Sequence, residues 1–133
     1  MVLTKNFKLE EFKCKDGSPV PEELVPYTLE LAQNLQVLRD LVDKPIRVIS
    51  GYRSKKYNTR IKGARRSQHM LAKAADIKIA GMEPKDIKEL IEKLIKDGKM
   101  KKGGVGLYRT FVHYDIRGYN ARWHGRGVKD DTN

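Results

Sequence analysis

Phe111-Val112-His113-Tyr114-Asp115-Ile116-Arg117 is the stretch whose reading decides the fold. Successive side chains of a strand point to opposite faces. Val112, Tyr114 and Ile116 therefore share one side, and His113, Asp115 and Arg117 share the other. The first side reads as core and the second as chemistry. An antiparallel sheet suits this division, because one of its faces can be buried under helices while the other stays open. Two amphipathic helices are available to cover the apolar side. Leu31, Leu35, Leu38 and Val42 recur at helical spacing from Pro26 onward, and Lys44-Pro45 ends that run. Ile87, Leu90, Ile91 and Leu94 line one face of a second helix from about Pro84 to Asp97, with Gly98 as its stop. Ile46 to Ser50 and Ala74 to Ile79 read as further strands, and the first runs into the loop Gly51-Tyr52-Arg53-Ser54. The expectation is an α+β fold: a small, mainly antiparallel sheet, helices packed on one face, and a site on the exposed other face.

The chain has 133 residues, 39% of them hydrophobic and 34% charged. That length fits one hydrophobic core, expected over residues 1–128, followed by a polar tail over 129–133. No apolar run approaches the ~18 residues that cross a bilayer, which excludes an integral membrane protein. Met1 to Phe7 lacks the apolar core of a secretory signal, so synthesis in the cytoplasm is expected, with another route out if the target is extracellular. Cys14 is the only cysteine, so no internal disulfide forms. It reads as a small buried apolar residue, with a metal ligand as the alternative. The net charge of +11 favours an anionic partner, a description that fits nucleic acid, acidic lipid and the bacterial wall alike. A monomer is expected.

His69, His113 and His124 are the only histidines. Hydrolytic zinc sites take three protein ligands from His, Asp, Glu and Cys and leave a fourth position for water. His69 and Asp76 bound the run His69-Met70-Leu71-Ala72-Lys73-Ala74-Ala75-Asp76. Fully extended, it would separate its ends by about 23 Å. To share one ion the run must turn back on itself, and the small residues Ala72, Ala74 and Ala75 permit close packing there. His113, on the polar face of a later strand, would complete the set. By spacing alone, a surface histidine and a capping aspartate explain the pattern better, there being no stronger local motif.

Three segments carry a family likeness: Ser50-Gly51-Tyr52-Arg53-Ser54, Ser67 to Asp76, and Phe111 to Arg117. In this order they resemble the motifs of the zinc peptidases that include D-alanyl-D-alanine carboxypeptidases and L-alanyl-D-glutamate endopeptidases. Phe7 to Gly17 and Gly118-Tyr119-Asn120-Ala121-Arg122-Trp123 resemble a small phage-associated, endolysin-like branch, so the likeness spans most of the chain. It implies Zn²⁺ held by His69, Asp76 and His113, with Arg53 binding the substrate at the catalytic site. Ser67 and Ala74 also match the pattern S-x-H-x-x-G-x-A-x-D. Ala72 stands where the family has Gly, which would strain the loop by on the order of 1 kcal/mol if that position needs a positive φ.

The implied reaction is zinc-dependent hydrolysis of peptide bonds in bacterial peptidoglycan stem peptides. Many relatives carry an acidic residue three positions before the last histidine. Here that position is Thr110, which cannot move a proton. Asp115 is the replacement expected as the catalytic acid or base, because residue i+2 on a strand shares the side of His113. Its alternative is to orient a ligand histidine. Arg53 offers a planar fork for a substrate carboxylate. Tyr57, Ser67 and Gln68 are expected to line the substrate groove near Tyr52 and Asn58, with packing or capping as the other option for each. His124 reads as an exposed residue, with stabilisation of a developing oxyanion as the alternative, and Trp123 reads as core rather than as a sugar platform.

Two other functions compete. A zinc-stabilised module that binds the wall or a protein without catalysis keeps the same metal geometry, as in the hedgehog signalling domain. A nucleic-acid binder is suggested by Lys55, Lys56, Arg60, Lys62, Arg65 and Arg66, although no recognised nucleic-acid motif accompanies them. The preferred reading gives these cations to anionic wall polymers, with no nucleic-acid partner and a phage lysis system as the route to the wall.

Overall fold

The spacing of Leu31, Leu35 and Leu38 materialises as helix α1 (Val25–Val42), and that of Ile87, Ile91 and Leu94 as α3 (Pro84–Lys96). A two-turn helix, α2 (Lys55–Arg60), lies between them and was not anticipated. The computed structural model describes residues 1–128; the tail expected over 129–133 lies outside the described residues. Val2–Thr4 (β1) and Phe7–Lys8 (β2) pair as a small antiparallel ribbon. The main sheet contains β3 (Ile46–Ser50), β4 (Ala74–Ile79), β5 (Gly104–Leu107), β6 (Val112–Asp115) and β7 (Ala121–His124), in the spatial order β3-β4-β6-β5-β7. All its neighbours are antiparallel except β5 and β7, which run parallel. The α+β fold with a mainly antiparallel sheet is thus the one formed.

Val112, Tyr114 and Ile116 sit in one buried cluster with Ile77 and Ile79 of β4, Leu31, Leu35 and Leu38 of α1, and Ile87, Ile91 and Leu94 of α3. The opposite face of the sheet departs from expectation. It is not open: His113 is only 6% exposed and Asp115 is fully buried. The cover comes from β7, whose Trp123 lies across Gly104 and Gly106 of β5. A Cβ added to Gly106 would stand 2.5 Å from Trp123 Nε1, so only glycine admits the indole there.

Two local devices shape the approach to this covered face. The β3–β4 register passes from Val48 opposite Ile77 to Ser50 opposite Asp76, leaving Ile49 as a bulge beside the aspartate. Gly51 follows, and a Cβ on it would lie 2.8 Å from the Phe12 backbone. That absence lets the N-terminal segment pack against the loop, where Tyr52 N–H donates to Phe12 C=O at 2.8 Å.

Between α2 and β4 the chain makes the reversal that the His69 to Asp76 spacing requires. Ser67 Oγ accepts from His69 N–H at 3.2 Å and caps a 3-10 turn over Gln68–Leu71. Ala72 then adopts a left-handed conformation, φ 58° and ψ 29°. Its carbonyl accepts a 3.4 Å hydrogen bond from buried Thr28 of α1, which ties the turn to the core. The departure from glycine at Ala72 therefore falls on a position of positive φ, where an L-residue costs about 1–2 kcal/mol. A β-branched side chain fits such a backbone still less well. Ala72→Val is expected to lower unfolding stability in urea by about 2 kcal/mol or more, whereas Ala72→Gly stays within about 1 kcal/mol of the parent. A valine variant as stable as the parent would show that the turn is not held left-handed in solution.

Candidate metal centre

β4 and β6 place Asp76 and His113 directly opposite each other in the ladder, and both side chains turn to the covered face. The turn ending at Ala72 delivers His69 to the same point. His69 Nε2 lies 3.3 Å and His113 Nδ1 3.1 Å from the same oxygen, Asp76 Oδ1. One potential ligand atom from each of the three residues lies within 4.8 Å of the other two, and all three residues are buried. Ligands bound at ~2.0–2.1 Å in a tetrahedron stand about 3.3 Å apart, so the two measured contacts suit a shared ion.

Hydrogen bonding behind the rings fixes which nitrogen faces the centre. His69 Nδ1 is 2.7 Å from the Gly51 carbonyl, which can only accept, so Nδ1 carries the proton and the Nε2 lone pair points at Asp76. His113 Nε2 is 2.7 Å from Asp115 Oδ2, which leaves Nδ1 facing Asp76. Burial pushes the His69 pKa down, outweighing the attraction of Asp76, and holds that ring neutral. For Asp76, burial raises the pKa but is overcome chiefly by the His113 contact, with the neighbouring His69 ring acting in the same direction, so the carboxylate lies well below its usual range. A carboxylate and a neutral imidazole thus present lone pairs to each other in a buried place. A cation resolves that conflict. In its absence a proton on His113 Nδ1 gives Asp76 one donor, and although burial opposes it, the Asp115 and Asp76 contacts raise the His113 pKa.

Asp115 lies on the far side of the His113 ring from Asp76. Its Oδ2 meets His113 Nε2 and Arg117 Nη2, each at 2.7 Å, while its Oδ1 accepts from Arg117 Nε at 2.9 Å and from the Gly104 N–H at 2.8 Å. Burial would raise its pKa, but the His113, Arg117 and Gly104 hydrogen bonds hold it well below the carboxylate range. These are the contacts of a group that orients a ligand imidazole. The sequence recorded that Asp115 and His113 share a face, but not that they meet through the rear nitrogen.

The centre floors a cleft of about 520 Å³ whose rim includes Arg53, Lys62, Arg66, Gln68 and Arg117. Arg53 reaches Asp76 Oδ2 at 3.4 Å and is steadied by Ser50 Oγ and by Asn58 Oδ1. Ser67 also lines the cleft. Tyr57 does not: it lies under the Arg60 guanidinium, 5.5 Å away. Asn58 is buried and links Arg53 to the Ala64 carbonyl rather than lining the groove. Cys14 is buried 4.0 Å from Ser54 Oγ and takes no part in the cluster. Thr110 is exposed and lines a separate groove with Pro45 and Arg47. His124 is an exposed residue of β7. Trp123 is the residue whose place the sequence reading missed. Half-buried, it packs 4.9 Å from the His113 ring, holds Arg117 over its face at 5.3 Å and lines the cleft. Gly104-x-Gly106, which leaves one face of β5 without side chains, was the available signal.

Residues 5–115 match the family model described as Peptidase M15. No curated protein matches the chain.

Two measurements test the centre. Because His113 has its pKa raised, a bound ion must displace a proton from it over a higher pH range than for an ordinary histidine. Zinc affinity should therefore climb with pH and level off once the free protein has lost that proton, with a proton released per ion in the lower range, as read by chelator competition between pH ~5.5 and ~8.5. A flat profile would show that no proton on His113 competes with the ion over this range. Asp115→Ala should weaken zinc binding about 10- to 100-fold by freeing the ring, whereas a residue that only carried protons would leave affinity unchanged.

Proposed function

The chain belongs to the peptidase M15 family of metallopeptidases, and from that premise we propose that it is a zinc-dependent hydrolase of peptide bonds in bacterial peptidoglycan stem peptides. The observation that carries this reading is the convergence of His69, Asp76 and His113 at the floor of a basic cleft. These three residues would hold the ion. Zinc bound there would polarise the scissile carbonyl and bring the pKa of a water toward 7. The residues around it divide the remaining work. Arg53 presents its guanidinium to a substrate carboxylate while steadying Asp76. Asp115 and the Gly51 carbonyl hold the two imidazoles in their ligating orientation. Ser67 and Gln68 border the cleft where a peptide backbone would lie.

The basic surface supports the proposed substrate. Lys55, Lys56 and Arg60 of α2 are exposed, as are Lys62, Arg65 and Arg66 beyond it, and this band runs into the cleft through Lys62 and Arg66. It would gather anionic wall polymers around the site. Among the described residues no helix is long and apolar enough to cross a membrane. We assign the chain to the phage-associated, endolysin-like branch on the strength of its motifs, acting as a single domain and a monomer.

One observation favours a second reading. Asp76 is the only carboxylate that lines the cleft among the described residues, so no free acid stands ready to move the water proton. A zinc-stabilised module that binds the wall without cutting it would need none. Digestion separates the two. Purified muropeptides should be cleaved by the zinc-loaded protein, preserved by chelator, and cleaved again on adding zinc, with mass spectrometry identifying the bond. Intact muropeptides with one equivalent of zinc on the protein would leave the binding module.

A further inference from the structure

Attack on a peptide carbonyl builds negative charge on its oxygen, and the largest gains come from donors already fixed toward that oxygen. Two of the cleft's arginines are ion-paired, Arg53 with Asp76 and Arg117 with Asp115. Lys62 and Arg66 are exposed. Tyr108 differs from all four. Its ring stacks on Phe111, centroids 4.4 Å apart and planes 11° apart. On another side it presses on Gly125, where an added Cβ would stand 2.2 Å from its Cδ2. Its oxygen accepts a 2.8 Å hydrogen bond from Trp123 Nε1, whose ring lies 4.9 Å from that of His113. An indole N–H only donates. The phenol's own proton is therefore turned away from Trp123, and it makes no hydrogen bond within the described residues. The half-buried side chain lines the same cleft as His69, Asp76 and His113.

We propose that Tyr108 is a catalytic hydrogen-bond donor of this cleft, its phenol O–H directed at the oxyanion formed when water adds to the scissile carbonyl. The inference rests on the peptidase reading above. The phenol keeps its proton throughout. The O–H···O bond strengthens as the carbonyl π pair moves onto oxygen, and it relaxes when that pair re-forms the carbonyl and the C–N bond breaks. The leaving nitrogen takes a proton that came from the water. Trp123 is the positioning residue: by occupying one lone pair of the phenol it fixes the direction of the O–H, and its own ring is seated on the glycines of β5.

The test uses the zinc-loaded full chain and its Tyr108→Phe variant, which keeps the ring contacts with Phe111 and Gly125. On muropeptides, kcat should fall about 100-fold while KM moves by less than about threefold. A phosphinate peptide, whose charged oxygens mimic the tetrahedral species, should lose affinity by a like factor, whereas a product stem peptide should bind unchanged. Zinc content and melting temperature should match the parent. Trp123→Phe should lower kcat by less than Tyr108→Phe does. A variant that turns over within about threefold of the parent would overturn the proposal and leave the peptidase reading standing. So would equal losses of kcat and product affinity, which would mark a merely structural role. A parent protein that cleaves nothing would sink the peptidase reading, and this proposal with it.

Discussion

Asp76 Oδ1 is the point on which this structure turns, because two imidazole nitrogens are brought to it from different parts of the fold. The β4–β6 ladder supplies His113 as the cross-strand neighbour of Asp76, so their separation is set by sheet geometry. His69 has no such guarantee. It arrives only because the chain from Ser67 winds through a capped 3-10 turn and reverses at the left-handed Ala72 before entering β4. The strained residue sits between two candidate ligands, and the core holds it there through Thr28. A local conformational cost is thereby offset by packing some distance away.

Burying this much polarity is permissible only because each group has a counterpart. Asp115, with no exposed surface, is answered by Arg117, by the Gly104 N–H and by His113. Asp76 is answered by Arg53 on one oxygen and by both histidines on the other. Among the described residues no buried side-chain polar atom lacks a partner. Arg117 is further clasped between the rings of Trp123 and Tyr119, at 5.3 and 5.7 Å. The two carboxylates flank one imidazole and are each backed by an arginine, so a His113 variant would leave both short of a partner inside a low-dielectric wall.

Much of this was legible in the chain because periodicity carries it. The alternation from Val112 to Arg117 separates core from site, and the leucine and isoleucine spacings give α1 and α3 almost to the residue. What escaped lacks periodicity. β5 is four residues, two of them glycine, next to a lysine-rich loop, so it reads as part of that loop until Trp123 explains the missing side chains. β7 alternates, but its exposed Arg122 and His124 and half-buried Ala121 and Trp123 give it no apolar signature. Asp115 shows a different limit. A two-residue spacing assigns its side chain to the face of His113, whereas which ring nitrogen it meets depends on side-chain torsions that the sequence does not record.

The same electrostatics that hold the centre together bear on its proposed chemistry. A cleft with Arg53, Lys62, Arg66 and Arg117 at its rim and one carboxylate on its floor carries a positive field before any ion binds. A second cation placed beside Asp76 works against that field, which favours substrates that bring carboxylates of their own and neutralise the rim as they enter. Such neutralisation also excludes water and lowers the local dielectric, so hydrogen bonds aimed at a developing oxyanion gain strength at the moment they are needed. A rigid aromatic wall suits that requirement better than mobile side chains do. Trp123 and Tyr108, locked by Gly104, Gly106 and Gly125, can keep their directions while the charged rim rearranges around an incoming peptide.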